Sequence, residues 1–271
     1  MDDIFHFHTG TAPLLVSLPH DGTLIPLEIA DRMTDIARTT PDTDWHMSRL
    51  YDFASALGAS TIAATHSRYV IDLNRAPDGS SLYDGANNTE LVPLTTFDLQ
   101  PIYRPGEQPD AAEVADRRDR YWLPYHGKLR DELKRLREEF GFAILFEGHS
   151  IRSVVPRFYD GVIPDLNLGS ADGESCAPDL AARAFDILKN SSYDAVLDDR
   201  FTGGYITRHF GSPDENIHAL QLELTWKNYM EEEPPFRYVA ERADRLKRTL
   251  RDLLQAILRW ADGHSPNAND L

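Results

Sequence analysis

The chain has 271 residues, 41% of them hydrophobic and 27% charged, and a formal net charge of −16. These proportions fit a soluble globular protein of one large or two small domains. No apolar run nears the ~20 residues of a bilayer span, the acidic start Met1-Asp2-Asp3-Ile4 does not resemble a signal peptide, and the single Cys176 excludes an internal disulfide or a cysteine-cluster zinc site, so a cytoplasmic protein with no membrane partner is expected.

Leu14–Leu18 reads as a short buried strand, followed by the turn Pro19-His20-Asp21-Gly22. Residues 42–57 read as a helix: Asp42 or Thr43 serves as cap, and Leu50, Phe53, Ala54 and Leu57 recur at helical spacing. Gly58 ends it. Residues 61–65 and 68–73 look like two further strands. Residues 76–109 are rich in Pro, Gly, Asp and Asn, and a loop of that length suggests a functional segment such as a lid. Residues 111–140 read as a charged helix broken or kinked at Pro124.

Residues 143–147 form a second apolar strand, followed by His149. Residues 156–178 are loop-rich. Pro178–Lys189 is a helix, Ala195–Leu197 a short strand, and 201–205 a glycine turn. Ile217–Thr225 alternates, with Leu220, Leu222 and Leu224 on one side and Gln221 and Glu223 on the other. A last helix covers about 236–261. Strands alternating with helices predict an α/β fold, a single domain over 1–263 with a mixed, mostly parallel central sheet flanked by helices. The polar tail 264–271 is expected to fray.

In such a fold, ligands collect where buried strands end. Two apolar strands here deliver a histidine to that edge, His20 and His149. Imidazole is the commonest protein metal ligand, and two histidines with one carboxylate form a known zinc set. Asp21, Asp42, Asp44 and Glu147 are the carboxylate candidates. Glu147 shares a face with His149 two residues on, either as a ligand or as a group that orients one. Glu223 is an acid in an apolar strand. Burying it raises its pKa, which suits a general base.

The excess negative charge disfavours nucleic acid as a partner. An anionic ligand would need arginines gathered locally, because guanidinium pairs carboxylates through two parallel hydrogen bonds. Arg68, Arg75, Arg152, Arg157 and Arg208 lie near the candidate ligand residues in sequence. His126 reads as a solvated residue of a charged helix, and His209 as a group that could line a pocket. Nucleotide-loop and serine-hydrolase motifs are absent from the sequence.

The segments SLPHDG (17–22), PDTDWHMSRLYDFA (41–54), SRYVIDLNR (67–75), YWLPYHGKL (121–129), HSIRSVVPRFYDG (149–161), GGYITRHFG (203–211) and QLELTWKNYMEEEPPF (221–236) follow in this order. Together they resemble the N-formylglutamate amidohydrolase family of histidine degradation. That resemblance implies a fold related to zinc carboxypeptidases and aspartoacylases (phosphorylase/hydrolase-like). It implies a cofactor, Zn2+ or another divalent metal, held by His20 and His149. The carboxypeptidase pattern puts a glutamate three residues after the first histidine. Thr23 stands there, so Asp44 is expected to complete the ligand set. The resemblance makes Glu223 the general base and Asn74-Arg75 a substrate-binding pair. The implied reaction hydrolyses N-formyl-L-glutamate to L-glutamate and formate. Arg75 or Arg152 would stabilise the oxyanion, and Arg75, Arg152 and Arg208 would clamp the dianionic substrate. Alternatives are deacylation of another N-acyl or N-formimidoyl amino acid, or non-catalytic carboxylate binding on the same scaffold. The sequence leaves the oligomeric state open.

Overall fold

The computed structural model describes residues 3–80 and 89–264. Their seven strands are β1 (Phe5–His8), β2 (Leu14–Leu18), β3 (Ser60–Ala64), β4 (Ala143–Ile151), β5 (Leu166–Gly169), β6 (Ala195–Leu197) and β7 (Ile217–Thr225). They form one sheet in the order β1-β3-β2-β4-β7-β5-β6. The pairs β3–β2, β2–β4, β4–β7 and β5–β6 are parallel, and β1–β3 and β7–β5 are antiparallel. The α-helices are α1 (Leu27–Ala30), α2 (Asp35–Arg38), α3 (Met47–Leu50), α4 (Ala111–Arg117), α5 (Leu123–Phe140), α6 (Pro178–Lys189), α7 (Tyr205–Phe210) and α8 (Ala240–His264). The mixed, largely parallel α/β sheet flanked by helices is the expected architecture.

Every residue of β2 and β4 is buried, as in strands covered on both faces. On one face Ile144, Phe146, Leu220, Leu222 and Leu224 pack with the apolar sides of α6 and α8. On the other, Leu15, Leu145 and Ala219 pack with Tyr125, Leu129 and Leu133 of α5. Period-two alternation keeps one set of residues on this second face. Beyond Leu145 that set becomes Glu147 and His149, and beyond Ala219 it becomes Gln221 and Glu223. The same face is therefore apolar core at one end and a polar cleft at the other.

Some expected elements differ. Residues 42–57 do not form one helix: His46 is left-handed (φ 65°), and the Asp21 carboxylate accepts the Met47 N–H, so α3 begins there and is short. Leu50, Phe53 and Ala54 are nonetheless buried, as their spacing suggested. Residues 68–73 are not a strand. The Val70 N–H turns back to the Ser67 carbonyl, and that of Asp72 goes to Leu91. The helix over 111–140 is interrupted at 118–122 by a π turn, and Pro124 sits in the first turn of α5.

β4 runs to Ile151, so His149 lies within the strand rather than after it. β1, β5 and α7 were not anticipated. β5 is four residues inside a loop-rich stretch, paired antiparallel to β7. His264 belongs to α8, and the rest of the expected frayed tail, 265–271, lies outside the described residues. So do 81–88 of the suggested lid; its described remainder within 76–109 carries no helix or strand. No helix among the described residues is long and apolar enough to cross a membrane.

Candidate metal centre and active site

His20 is placed by the turn after β2. Gly22 permits that turn: a Cβ there would lie 2.4 Å from the backbone of Thr65 and His66. The His20 carbonyl accepts the Asp44 N–H at 3.0 Å, which ties the turn to residues 42–44. His149 enters from β4. The three side chains are buried, and one ligand atom from each lies within 4.8 Å of the others.

Both imidazoles turn Nδ1 toward the same carboxylate oxygen. Asp44 Oδ2 is 2.9 Å from His149 Nδ1 and 3.7 Å from His20 Nδ1. His20 Nδ1 is buried and has no hydrogen-bond partner. The Nε2 atoms meet acids instead: His20 with Asp72 at 2.7 Å, His149 with Glu147 at 2.7 Å. Imidazoles backed by carboxylates, with the inner nitrogens converging beside a third acid, form a donor set suited to a divalent cation such as Zn2+.

Among the alternative acids, Asp21 is spent on the Met47 N–H and the Ser48 hydroxyl. Asp42 accepts from the Tyr69 hydroxyl and the Phe97 N–H. Glu147 backs His149 and accepts from the Thr207 hydroxyl at 2.7 Å. Asp44 is the acid that faces both rings.

Burial alone would raise the Asp44 carboxyl, but the hydrogen bond to His149 and the nearby His20 ring outweigh it and hold it below the usual range. Burial likewise opposes the Asp72 charge, and the Arg68 guanidinium at 2.5 Å, with His20, overcomes it. For His149 burial favours the neutral ring, yet Glu147 and Asp44 raise its affinity for a proton well above normal. A cation at Nδ1 would take the place of that proton.

The parallel register sets Glu223 beside His149 and Gln221 beside Glu147. Glu223 lines the cleft next to the triad, and burial pushes its carboxyl up to about 8. Phe97, Phe158 and Phe201 contribute apolar wall, and Arg68, Arg75 and Arg200 bring positive charge. Asn74 also lines it. Its Nδ2 lies 3.0 Å from His149 Nε2, and its Oδ1 accepts the Ile206 N–H at 2.8 Å. Gly204 leaves room for this amide, since a Cβ there would fall 2.1 Å from Asn74 Nδ2.

Arg152 and Arg208 do not line the cleft. Arg152 follows the cleft residue Ile151 and pairs with Asp98 at 2.8 Å. Arg208 donates to Thr202 Oγ1 and the Gly203 carbonyl. Arg157 bonds Thr95 and Thr96. His209 is exposed and stacks on Tyr205. His126 is not solvated: it is buried, and burial pushes its ring down to about 3. Arg200 went unnoticed in the sequence. It reaches the cleft from the loop between β6 and α7.

An α/β sheet edge that presents two imidazoles, a carboxylate and a separate buried glutamate belongs to the metal-dependent hydrolases. Comparison with known families narrows the class. The N-formylglutamate amidohydrolase family model matches residues 12–230, and the chain belongs to that family. It is 48% identical over 261 residues to an N-formylglutamate deformylase of Pseudomonas putida, covering 96% of this chain and 97% of that protein. Identity to a Pseudomonas aeruginosa protein of the same description is also 48%, covering 96% of this chain and 98% of that one. The crystal structure of an N-formylglutamate amidohydrolase from Ralstonia eutropha JMP134 superposes with a TM-score of 0.80 at 27% identity, covering 95% of this chain and 97% of that one.

Proposed function

We infer that this protein hydrolyses N-formyl-L-glutamate to L-glutamate and formate. The observation that carries the reading is the buried His20–Asp44–His149 cluster, with Glu223 beside it in register, inside a chain of the N-formylglutamate amidohydrolase family. His20, Asp44 and His149 would hold a divalent ion, which would supply Lewis-acid polarisation and lower the pKa of a bound water from ~15.7 toward ~7.

The protein's own groups do the rest. Glu223 accepts a proton from the attacking water at its carboxylate and passes it to the amine nitrogen of the departing glutamate. The register position of Glu223 directly beside His149, lining the same cleft, supports this role. Asn74 steadies His149, and Arg75 faces the developing oxyanion or a substrate carboxylate. With Arg152 and Arg208 turned elsewhere, Arg68 and Arg200 join Arg75 as the cleft cations for a dianionic substrate. The phenylalanine wall limits access of water to the reacting bond. Within the same reading the reaction ends a histidine degradation route in the cytoplasm; the single buried, unbridged Cys176 is compatible with a reducing compartment.

The test compares kcat/KM over N-formyl-, N-formimidoyl-, N-acetyl- and longer N-acyl-L-glutamates, with formate measured directly. The highest value is expected for the formyl compound. A higher value for another acyl group would transfer the function to that substrate.

A further inference from the structure

Residues 68–75 carry Arg68, Asp72, Asn74 and Arg75, which line the cleft or hold His20, yet they form neither helix nor strand. A buried irregular segment must find partners for its carbonyls outside a backbone ladder. Three of those partners come from the helical rod 111–140. Arg117 Nη1 donates to the Val70 carbonyl at 3.0 Å, His126 Nε2 to Leu73 at 2.8 Å, and Trp122 Nε1 to Arg75 at 3.0 Å. The last two carbonyls flank Asn74.

The π turn at 118–122 brings these donors together. In an uninterrupted α-helix, at about 100° per residue, Trp122 would stand about 140° round the axis from Arg117 and His126 about 180°. An i→i+5 turn takes in about one extra residue, which removes about 100° and leaves them about 40° and 80° away. The rings of Trp122 and His126 then stack, with centroids 3.5 Å apart and planes within 9°. Phe210 of α7 stacks in turn on His126, with ring centroids 5.8 Å apart. Each ring fixes the orientation of the next, and so the direction of each N–H.

We propose that Trp122 and His126 are positioning residues for the active site: their ring N–H groups splint Leu73 and Arg75, so that Asn74 stays against His149 and Arg75 faces the cleft. Neither lines the cleft itself. Losing a donor leaves the backbone a wider set of conformers, and apparent ligand affinity falls with the competent fraction. This role is separate from core packing, because a phenylalanine preserves the ring and the stack while removing the N–H.

The experiment compares Trp122→Phe, His126→Phe and His126→Gln with the parent protein. Amide hydrogen exchange is followed by mass spectrometry. KM and kcat for N-formyl-L-glutamate and the Kd of the product L-glutamate are also measured. The two phenylalanine variants should speed exchange across 68–75 relative to the rest of the sheet. They should raise KM and the glutamate Kd about fivefold, the scale of one lost hydrogen bond, with kcat within about twofold. Gln places an amide N–H near the position of Nε2, so His126→Gln should restore exchange and KM toward parent values. Unchanged exchange over 68–75 in Trp122→Phe overturns the proposal. So does a His126→Gln variant as impaired as His126→Phe, or a uniform loss of melting temperature with KM unmoved. The kinetic arm rests on the hydrolase reading above and the exchange arm does not. A parent protein that releases no formate sinks the former while the exchange result still decides the latter; if His126→Phe does not fold, Trp122→Phe decides it alone.

Discussion

Glu223 combines three properties that rarely meet in one side chain: burial, a raised affinity for protons, and a strand neighbour that is a candidate metal ligand. Replacing it with glutamine keeps the shape and removes the proton acceptor. Glu223→Gln is expected to lower kcat by about 10²- to 10⁴-fold, the usual range for a lost general base. Bound metal should stay at one ion per chain, measured by elemental analysis. Turnover within tenfold of the parent would remove Glu223 from the mechanism. Its candidacy was legible in the sequence, because a lone acid alternating with Leu222 and Leu224 in a buried strand has few other uses. The choice of Asp44 over Asp42 was not legible in spacing. It depends on a bend in which Thr40 (φ 48°) and His46 (φ 65°) are left-handed, and on Tyr69 and Phe97 claiming Asp42.

At the scale of elements, strands with continuous or alternating apolar patterns could be read correctly, and irregular segments could not. β2, α6, β6 and β7 fall where their patterns put them, since packing on both faces of the sheet reinforces what the residues prefer. Residues 68–73 contain Tyr69, Val70, Ile71 and Leu73 and so read as a strand. Their apolar side chains are indeed buried, but helix side chains satisfy their carbonyls. Asp72 organises this segment. Besides His20 Nε2, it accepts from the Asn74 N–H at 2.9 Å and pairs with Arg68. Asp72→Asn therefore weakens the grip on His20 without touching the three inner ligand atoms. We expect metal affinity, measured by competition with a chelator, to fall about 10- to 100-fold, as is usual when a carboxylate behind a ligating histidine is lost. Affinity within twofold of the parent would show that His20 needs no such support.

Over the whole molecule, one face of the sheet changes from apolar core to polar cleft along the length of its strands, and this places the chemistry. The protein carries a net charge of −16, yet Arg68, Arg75 and Arg200 converge on that cleft. Positive charge focused between low-dielectric walls offsets the long-range repulsion of an anionic substrate. The overall charge therefore does not argue against a dianion, provided the arginines stay where the fold holds them. Release of formate from N-formyl-L-glutamate at the His20–Asp44–His149 centre should depend on a bound metal. The most direct measurement is formate production by protein stripped with a chelator, before and after Zn2+ is restored. Stripping is expected to abolish formate release, and about one equivalent of Zn2+, or another divalent ion able to accept this donor set, to restore it. Full activity in the stripped protein, or no formate from the metal-replete protein, would contradict this expectation.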